Sequence, residues 1–268
     1  MRSILLHIHD DDCLEPRRQV ALDLARAFSG HVTCLQSAPI EASYGDYYGT
    51  AFAQVMPIIE KGSSALRNRV EGAMRQEDVP WNWVFENFDA YGAIRQHAPM
   101  HDLLVLGACD FRRGSKGYSA LAADLAIDLR TPVMLVGEDS GGYDPAKPIV
   151  LAWNGSAEAA NAMRAAVPLL AMASKVIVVT IEEKDDHWRV PATAAAAYLS
   201  RHAIAAEVAE EPVLKTGIAS TLRHLSDRLE AGLIVMGAYG RTRFHELVLG
   251  GVSRDMFSNV ATPLFLAH

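Results

Sequence analysis

Short apolar runs alternate with amphipathic segments along the whole chain. Runs such as 4–10, 103–107 and 233–236 are too short for a helix and rich in branched side chains, which is typical of buried parallel strands. The segments between them, such as 15–28 and 157–172, place apolar residues at helical spacing. This alternation predicts an α/β protein with mainly parallel sheets, right-handed crossovers and helices on both faces.

The pattern occurs twice. Predicted strands are 4–10, 31–35, 81–88, 103–107 and 132–136, then 149–154, 176–180, 205–213, 233–236 and 263–267; predicted helices are 15–28, 51–76, 91–97 and 120–129, then 157–172, 191–202, 217–229 and 253–260. Between the two sets, residues 138–147 are dense in glycine, proline and charge, as a linker is. We therefore predict two domains, 1–140 and 147–268, each a doubly wound five-stranded sheet flanked by helices.

A glycine-rich stretch follows the fourth strand of the second half. Gly237 and Gly240 come directly after the apolar run, and Gly250 and Gly251 open the next helix. Glycines free the backbone from its usual φ limits, and the start of a helix presents unpaired N–H groups with the positive end of the helix dipole. Strand, glycine turn and glycine-started helix together favour the binding of phosphate.

The spacing of these glycines resembles the nucleotide motif of the universal stress protein family, Gly-x2-Gly-x9-Gly-[Ser/Thr]. Position 251 departs from it, since the family has a hydroxyl there and this chain has Gly251, with Ser253 two residues later. The resemblance covers nearly the whole chain, as the tandem form. It implies the strand order 3-2-1-4-5 in each domain and a ligand crevice at the carboxyl ends of strands one and four.

The resemblance also implies which residues bind the nucleotide. They follow strand one (Ala152, Trp153, Asn154), end strand two where adenine would pack (Thr180, Ile181), and form the glycine motif (Met236, Gly237, Gly240, Arg241, Gly250, Gly251, Val252, Ser253). The family has an acidic residue at position 154, where Asn154 can donate and accept hydrogen bonds, or else cap the following helix. Arg241 could approach phosphate or remain a solvated loop residue.

The expected ligand is ATP, with or without Mg²⁺. No lysine stands near Gly250 as a Walker loop requires, so any ATP hydrolysis should be slow. The family's single-domain members pair through their last strands, which implies an internal pseudo-dimer through 132–136 and 263–267. Pairing between chains stays open.

The first half departs from the motif. Asp110 stands where the second half has Gly240, and Ser119 and Ala120 stand where it has Gly250 and Gly251. A carboxylate in the phosphate turn opposes an anion, so the first half should hold no triphosphate. His7, His9 and the carboxylates of 10–12 offer a conceivable metal site, although buried or capping histidines and a solvated acidic turn are the more common explanation.

Composition narrows the classes of function. The net charge is −7, with 13 basic and 20 acidic residues in 1–146 against 12 and 12 in 147–268, so an anion meets less repulsion in the second half. A basic surface for nucleic acid is lacking, and no apolar run approaches the roughly 20 residues of a membrane span.

The chain begins directly in a strand pattern. It has three cysteines, an odd number, and they are not spaced along the chain as metal ligands are. We therefore expect a cytoplasmic protein without disulfides. The favoured interpretation is an ATP-binding regulatory module of the stress response. The alternatives are an interaction or scaffold protein of the same fold that binds no nucleotide, and a metal or small-ligand sensor that uses the first half.

Overall fold

The computed structural model describes residues 1–38, 49–109, 119–181, 190–238 and 251–268, with the backbone alone for 49–60. Its elements are β1 (Ser3–Ile8), α1 (Leu14–Phe28), β2 (His31–Ser37), α2 (Gly49–Met74), β3 (Trp81–Glu86), α3 (Ala90–His97), β4 (Leu103–Gly107), α4 (Ala120–Asp128), β5 (Val133–Val136), β6 (Ile149–Ala152), α5 (Ala157–Leu170), β7 (Val176–Ile181), α6 (Ala192–Ser200), β8 (Ala206–Glu211), α7 (Ile218–Arg228), β9 (Leu233–Gly237), α8 (Gly251–Phe257) and β10 (Leu264–Ala267). A short 3-10 turn, Ala98–Met100, follows α3. The predicted alternation of strands and helices is confirmed.

The ten strands form one sheet in the order β3-β2-β1-β4-β5-β10-β9-β6-β7-β8. Within each half the order is 3-2-1-4-5, as the sequence resemblance implies. β5 and β10 pair in antiparallel fashion, with Met134 opposite Phe265, while the neighbouring strands within each half are parallel. The predicted contact between the two last strands is therefore confirmed, and it joins the two halves into one continuous sheet.

Two hydrophobic layers cover the two faces of this sheet. Along β1, Ile4 and Leu6 pack into the layer under α1, α2, α5 and α6, while Leu5 packs into the layer under α3, α4, α7 and α8. Each layer includes residues of both halves, because the sheet does not break at β5 and β10. The strands are buried on both faces, which explains their continuous apolar runs.

The register of the strands shows which positions of the two halves correspond. Ile4 of β1 lies opposite Leu103 of β4, and Ile149 of β6 lies opposite Leu233 of β9. Positions that follow β1 therefore correspond to positions 145 residues later that follow β6. In both halves the first and fourth strands are neighbours, and their following helices lie on opposite faces, which creates a switch point at their carboxyl ends.

The last helix differs from its prediction. The structure starts α8 at Gly251 instead of Ser253 and ends it at Phe257 instead of Val260. Val260 is buried and lies beside the seam between β5 and β10, so the chain must leave the helix before it reaches that position. No helix in the described parts of the chain combines the length and apolar character needed to cross a membrane.

Candidate functional site

The second half brings several predicted site residues to one edge of the sheet. Ala152 lies opposite Val179 at the end of β7, and Leu151 lies opposite Val235, which places Met236 beside Ala152. Thr180 and Ile181 then end β7, half-buried and buried respectively, and Gly237 ends β9. The carboxyl ends of β6, β7 and β9 therefore meet as the sequence analysis expected.

Trp153 and Asn154 follow β6 and have different surroundings. The indole of Trp153 is buried, and its Nε1 donates to the carbonyl oxygen of Val190 at 2.8 Å. This ring therefore serves the packing between the end of β6 and the segment that precedes α6. Asn154 is exposed, and its Oδ1 accepts from the backbone N–H of Ser156 at 3.1 Å. Ser156 caps α5, since its Oγ accepts from the backbone N–H of Ala159 at 3.2 Å, while Asn154 holds the turn that precedes this cap.

Gly237 has a packing reason to be glycine. A Cβ at this position would lie 2.6 Å from the backbone nitrogen of Ala159 and 2.6 Å from the carbonyl carbon of Glu158. Any larger residue would push the first turn of α5 away from the end of β9. The close approach of this helix to the switch point therefore depends on Gly237, whatever binds there.

The first turn of α8 borders the same edge. Gly251 is exposed, and a Cβ built on it meets no atom of the described residues within 4 Å, whereas Ser253 is only 7% exposed. Residues two apart on a helix lie about 200° apart around its axis, so Ser253 does not occupy the place of a hydroxyl at position 251. Gly240, Arg241 and Gly250 lie outside the described residues.

In the first half, the side chain of Ser119 caps the corresponding helix, α4. Ser119, which the sequence repeat aligns with Gly250, is the N-cap of α4, and its Oγ accepts from the backbone N–H of Ala122 at 3.2 Å. Ser119 is buried, at 3% exposure. A glycine at position 250 has no side chain for this bond, so the two halves differ in what can satisfy the first amides of the helix.

A buried arginine fills the switch point of the first half. Arg17 of α1 is fully buried, and its Nη1 lies 2.6 and 2.8 Å from the two carboxylate oxygens of Asp11. Its Nε and Nη2 donate to the carbonyl oxygens of His7 and His9 at 2.8 and 2.5 Å. Arg17 also reaches the end of β4, because a Cβ on Gly107 would lie 2.5 Å from its Nη1.

The second half has no counterpart of this ion pair. At the spacing of 145 residues, Ala162 replaces Arg17 and Ser156 replaces Asp11. The equivalence is supported by the helix contacts, since Gly107 adjoins Cys13 and Gly237 adjoins Glu158, which are also 145 residues apart. The same place in the fold is therefore filled by a charged pair in one half and by small residues in the other.

Comparison with known proteins gives a consistent result for the fold. No protein-family model matches the sequence, and no curated protein sequence matches it. Among solved structures, a universal stress protein from Archaeoglobus fulgidus superposes with a TM-score of 0.68 at 15% identity, over 98% of this chain and 97% of that one. The chain has the universal stress protein fold, repeated twice.

Two further structures with this fold come from Pseudomonas aeruginosa. A putative universal stress protein matches with a TM-score of 0.57 at 16% identity, over 100% of this chain and 93% of that one. A functionally unknown protein matches with a TM-score of 0.57 at 17% identity, over 100% and 92%. The structural similarity shows that the chain has the architecture of the universal stress protein fold. Because the sequence identities are low, the ligand must be argued from the residues of this chain.

The expectation that the chain has no disulfide is wrong. Cys13, directly before α1, and Cys109, two residues after β4, form a disulfide with their Cα atoms 6.0 Å apart. The two residues are 96 positions apart, so spacing along the chain gave no sign of the pair. Cys34 is a free, buried cysteine of the core.

The two histidines proposed as metal ligands lie side by side in the first half. The rings of His7 and His9 are nearly parallel, with their centroids 6.0 Å apart, and His7 is only 3% exposed. Burial lowers the pKa of His7 well below its usual value, and the nearby Arg17 and His9 lower it further. Among the residues described, the group that could hold a metal is Asp11, Cys13 and Cys109, without either histidine.

The buried His7 predicts a pH dependence of stability. The unfolded state takes up a proton near pH 6.5 and the folded state only well below it, so the free energy of unfolding should fall as pH drops below about 6.5. His7→Leu should remove up to about 1.4 kcal/mol per pH unit from this slope. Urea unfolding of both proteins between pH 7.5 and 5 measures the difference, and two parallel curves would show that His7 titrates normally.

The two described clefts lie away from the predicted crevice. A cavity of about 280 Å³ borders Arg223, Asn259 and the starts of β9 and β10, which is the opposite end of those strands. A second, of about 440 Å³, lies along the connection around Tyr143 and Lys147. The glycine loop that would wall the predicted crevice lies in 239–250, outside the described residues, so the crevice is located by the strand ends alone.

Proposed function

We propose that this protein is a regulatory module that binds one nucleotide, ATP, at the switch point of its second half. The observation that carries the proposal is the difference between the two switch points. Arg17 and Asp11 fill the first, and Ser119 caps the helix beside it. The second has Ala162 and Gly250 in the places of Arg17 and Ser119, so it carries neither the charged pair nor the capping side chain, and the helix amides would be left for an anion.

The residues at the second switch point suit the parts of a nucleotide. Thr180 and Ile181, at the end of β7, would pack against the base, and the exposed Asn154 would face the ribose beside the backbone of Ala152 and Trp153. Met236 and Gly237, at the end of β9, would line the bottom of the nucleotide crevice.

The phosphates would lie between the glycine turn and the first turn of α8. Backbone amides from Gly240 and from 250–253 would donate to them, and Arg241 would neutralise charge. A Cβ on Gly251 meets none of the described residues, so that side of the first turn would face the phosphates. Mg²⁺, where bound, would be held mainly by phosphate oxygens and water, and it would shield their charge. Without a Walker lysine, hydrolysis would be slow at most.

The wider setting follows from the same hypothesis. We place the protein in the cytoplasm, in the response to stress, with residues 1–140 and 147–268 as its two domains. Its partner is then the nucleotide, and neither nucleic acid nor a membrane surface is required. The first domain would serve as the fixed half of the shared sheet, on which the binding half is built.

An interaction module without a nucleotide is the second candidate. Two contacts favour it: Gly237 is required by the packing of α5, and Asn154 already accepts a hydrogen bond within its own turn. Under this hypothesis the glycines serve the turns alone. Both candidates predict a folded protein, and they differ in whether ATP binds.

Gly251→Asp separates the two candidates. The new carboxylate would face the phosphates from a position that meets none of the described residues, so ATP should bind more weakly by about 1–3 kcal/mol, roughly five- to 150-fold. Stability should be unchanged or slightly higher, because an acidic residue in the first turn of a helix interacts well with its dipole. Isothermal titration with ATP and a thermal melt measure the two quantities.

Two matched variants complete the test. Gly251→Asn adds a side chain of the same shape without the charge and should lose much less affinity. Ala120→Asp places the same charge at the equivalent, exposed position of α4 in the first half and should leave ATP binding unchanged. No binding of ATP to any of the four proteins would favour the interaction module, and equal affinity in all four would contradict a phosphate site at Gly251.

A further inference from the structure

The disulfide of the first half lies at the switch point and is open to solvent on one side. Cys13 is fully buried, whereas Cys109 is partly exposed. Cys13 is the residue before α1, and Cys109 follows the end of β4. Of the two cysteines, Cys109 is therefore the one that has solvent-exposed surface, and we take it as the side from which a thiolate approaches.

The sulfur of Cys13 lies where a negative charge is stabilised. The backbone N–H of Cys109 donates to Cys13 Sγ at 3.2 Å, and the residue stands at the N-terminal end of the 15-residue helix α1. Both features lower the free energy of a thiolate. Arg17 and Asp11 neutralise each other nearby, so the stabilisation rests on the amide and the helix end.

We propose that Cys13 and Cys109 form a reversible thiol–disulfide exchange site, entered through Cys109, whose co-reactant is a thiol or dithiol and, in reverse, its disulfide. A thiolate attacks Cys109 Sγ, the bond between the two protein sulfurs breaks, and its electron pair leaves on Cys13 Sγ. The product is a mixed disulfide on Cys109 and a Cys13 thiolate. A sulfur that leaves as a stabilised thiolate makes this step faster.

A second thiolate completes the reaction. It attacks the co-reactant's sulfur in the mixed disulfide, and Cys109 leaves as a thiolate. The protein gains two electrons, its two thiolates take up the two protons that the thiols lose, and the co-reactant becomes a disulfide. Re-oxidation by a small disulfide runs through the same steps in reverse. Reduction would release the end of β4 from the start of α1 in the half that we propose binds no nucleotide.

A metal site is the competing use of the same sulfurs. The ligand atoms of Asp11, Cys13 and Cys109 lie within 4.8 Å of one another. Both carboxylate oxygens of Asp11, however, are within 2.8 Å of Arg17 Nη1, and Asp11 Oδ1 also accepts from the backbone N–H of Cys13. The carboxylate is therefore engaged, and a cation would face a guanidinium, which favours the disulfide.

The experiment equilibrates the native, full-length protein in mixtures of reduced and oxidised glutathione. A first alkylating reagent traps the free thiols of the native protein, a second of different mass is added after denaturation and reduction, and mass spectrometry reports the label on each cysteine. Cys13 and Cys109 should change together from disulfide to thiols as the mixture becomes more reducing. Cys34 should stay unlabelled in the folded protein, because burial raises the pKa of its thiol to about 12.

Three results would overturn the proposal. The pair could resist a large excess of reduced glutathione in the folded protein, which would make it a structural disulfide. It could remain as two thiols in oxidised glutathione. Added zinc could bind the thiol form of the native protein with one ion per chain and prevent the disulfide from re-forming.

Single variants test the point of entry. Cys13→Ser leaves Cys109, which should form a mixed disulfide with oxidised glutathione, while Cys109→Ser leaves the buried Cys13, which should react at least tenfold more slowly. Equal rates, or a faster Cys13, would contradict entry through Cys109. Circular dichroism confirms that each variant is folded, and the glutathione series on the unmodified protein tests reversibility without any variant.

Discussion

Arg17→Ala is expected to lower the free energy of unfolding by about 3–5 kcal/mol, since it leaves the carboxylate of Asp11 without its partner in a nearly dry site. The side chain of Asp11 is only 6% exposed, and the backbone carbonyls of His7 and His9 lose their donors at the same time. Urea unfolding followed by circular dichroism gives the value.

Two variants sharpen this prediction. Arg26→Ala removes an arginine from the same helix that is 36% exposed and pairs with surface carboxylates, and it should cost no more than about 1 kcal/mol. Asp11→Asn added to Arg17→Ala removes the stranded charge and should recover part of the loss. A cost for Arg17→Ala as small as that for Arg26→Ala would contradict a filled first switch point.

Gly137→Ala is expected to destabilise the protein by about 3 kcal/mol or more. Gly137 follows β5, and a Cβ there would lie 1.8 Å from the carbonyl oxygen of Val260, just ahead of β10. Backbone cannot yield as the end of a side chain can, so the seam between the two halves must open. Urea unfolding measures the loss.

Gly141→Ala is the matched control, because a Cβ at Gly141 meets nothing within 4 Å among the residues that the structure describes. It should change stability by less than about 1 kcal/mol and in the favourable direction, since alanine restricts the unfolded chain. If both variants were equally stable, β5 and β10 would not pack as closely as the structure has them.

The sequence predicted the fold because buried parallel strands carry continuous apolar runs. The similar runs before Gly107 and Gly237 revealed the repeat, and the family resemblance then supplied the strand order and the pairing of β5 with β10. The ends of elements were less certain. The strand that begins at Trp81 was predicted to reach 88, and it ends at Glu86, where the chain turns into the cap of α3.

The content of the first switch point was not predicted, although signals for it existed. Arg17 follows Leu14 by three residues and precedes Ala21 by four, so it lies on the buried side of its helix, but an arginine on a helix is usually solvated. Cys13 and Cys109 follow strands that the order 3-2-1-4-5 makes neighbours. Each signal becomes visible only when the order of the strands in the sheet is known. The spacing of residues along the chain does not reveal it.

The central claim is that ATP binds in the second half and not in the first. Photo-crosslinking of the native protein with 8-azido-ATP, followed by peptide mapping, tests it directly, because the label marks the residues around the base. We predict labelled peptides that contain Asn154, Thr180 or the glycine stretch 237–253, with labelling abolished by excess ATP. Labelling of peptides around His9 or Gln36 in the first half, or labelling that excess ATP does not reduce, would contradict the account.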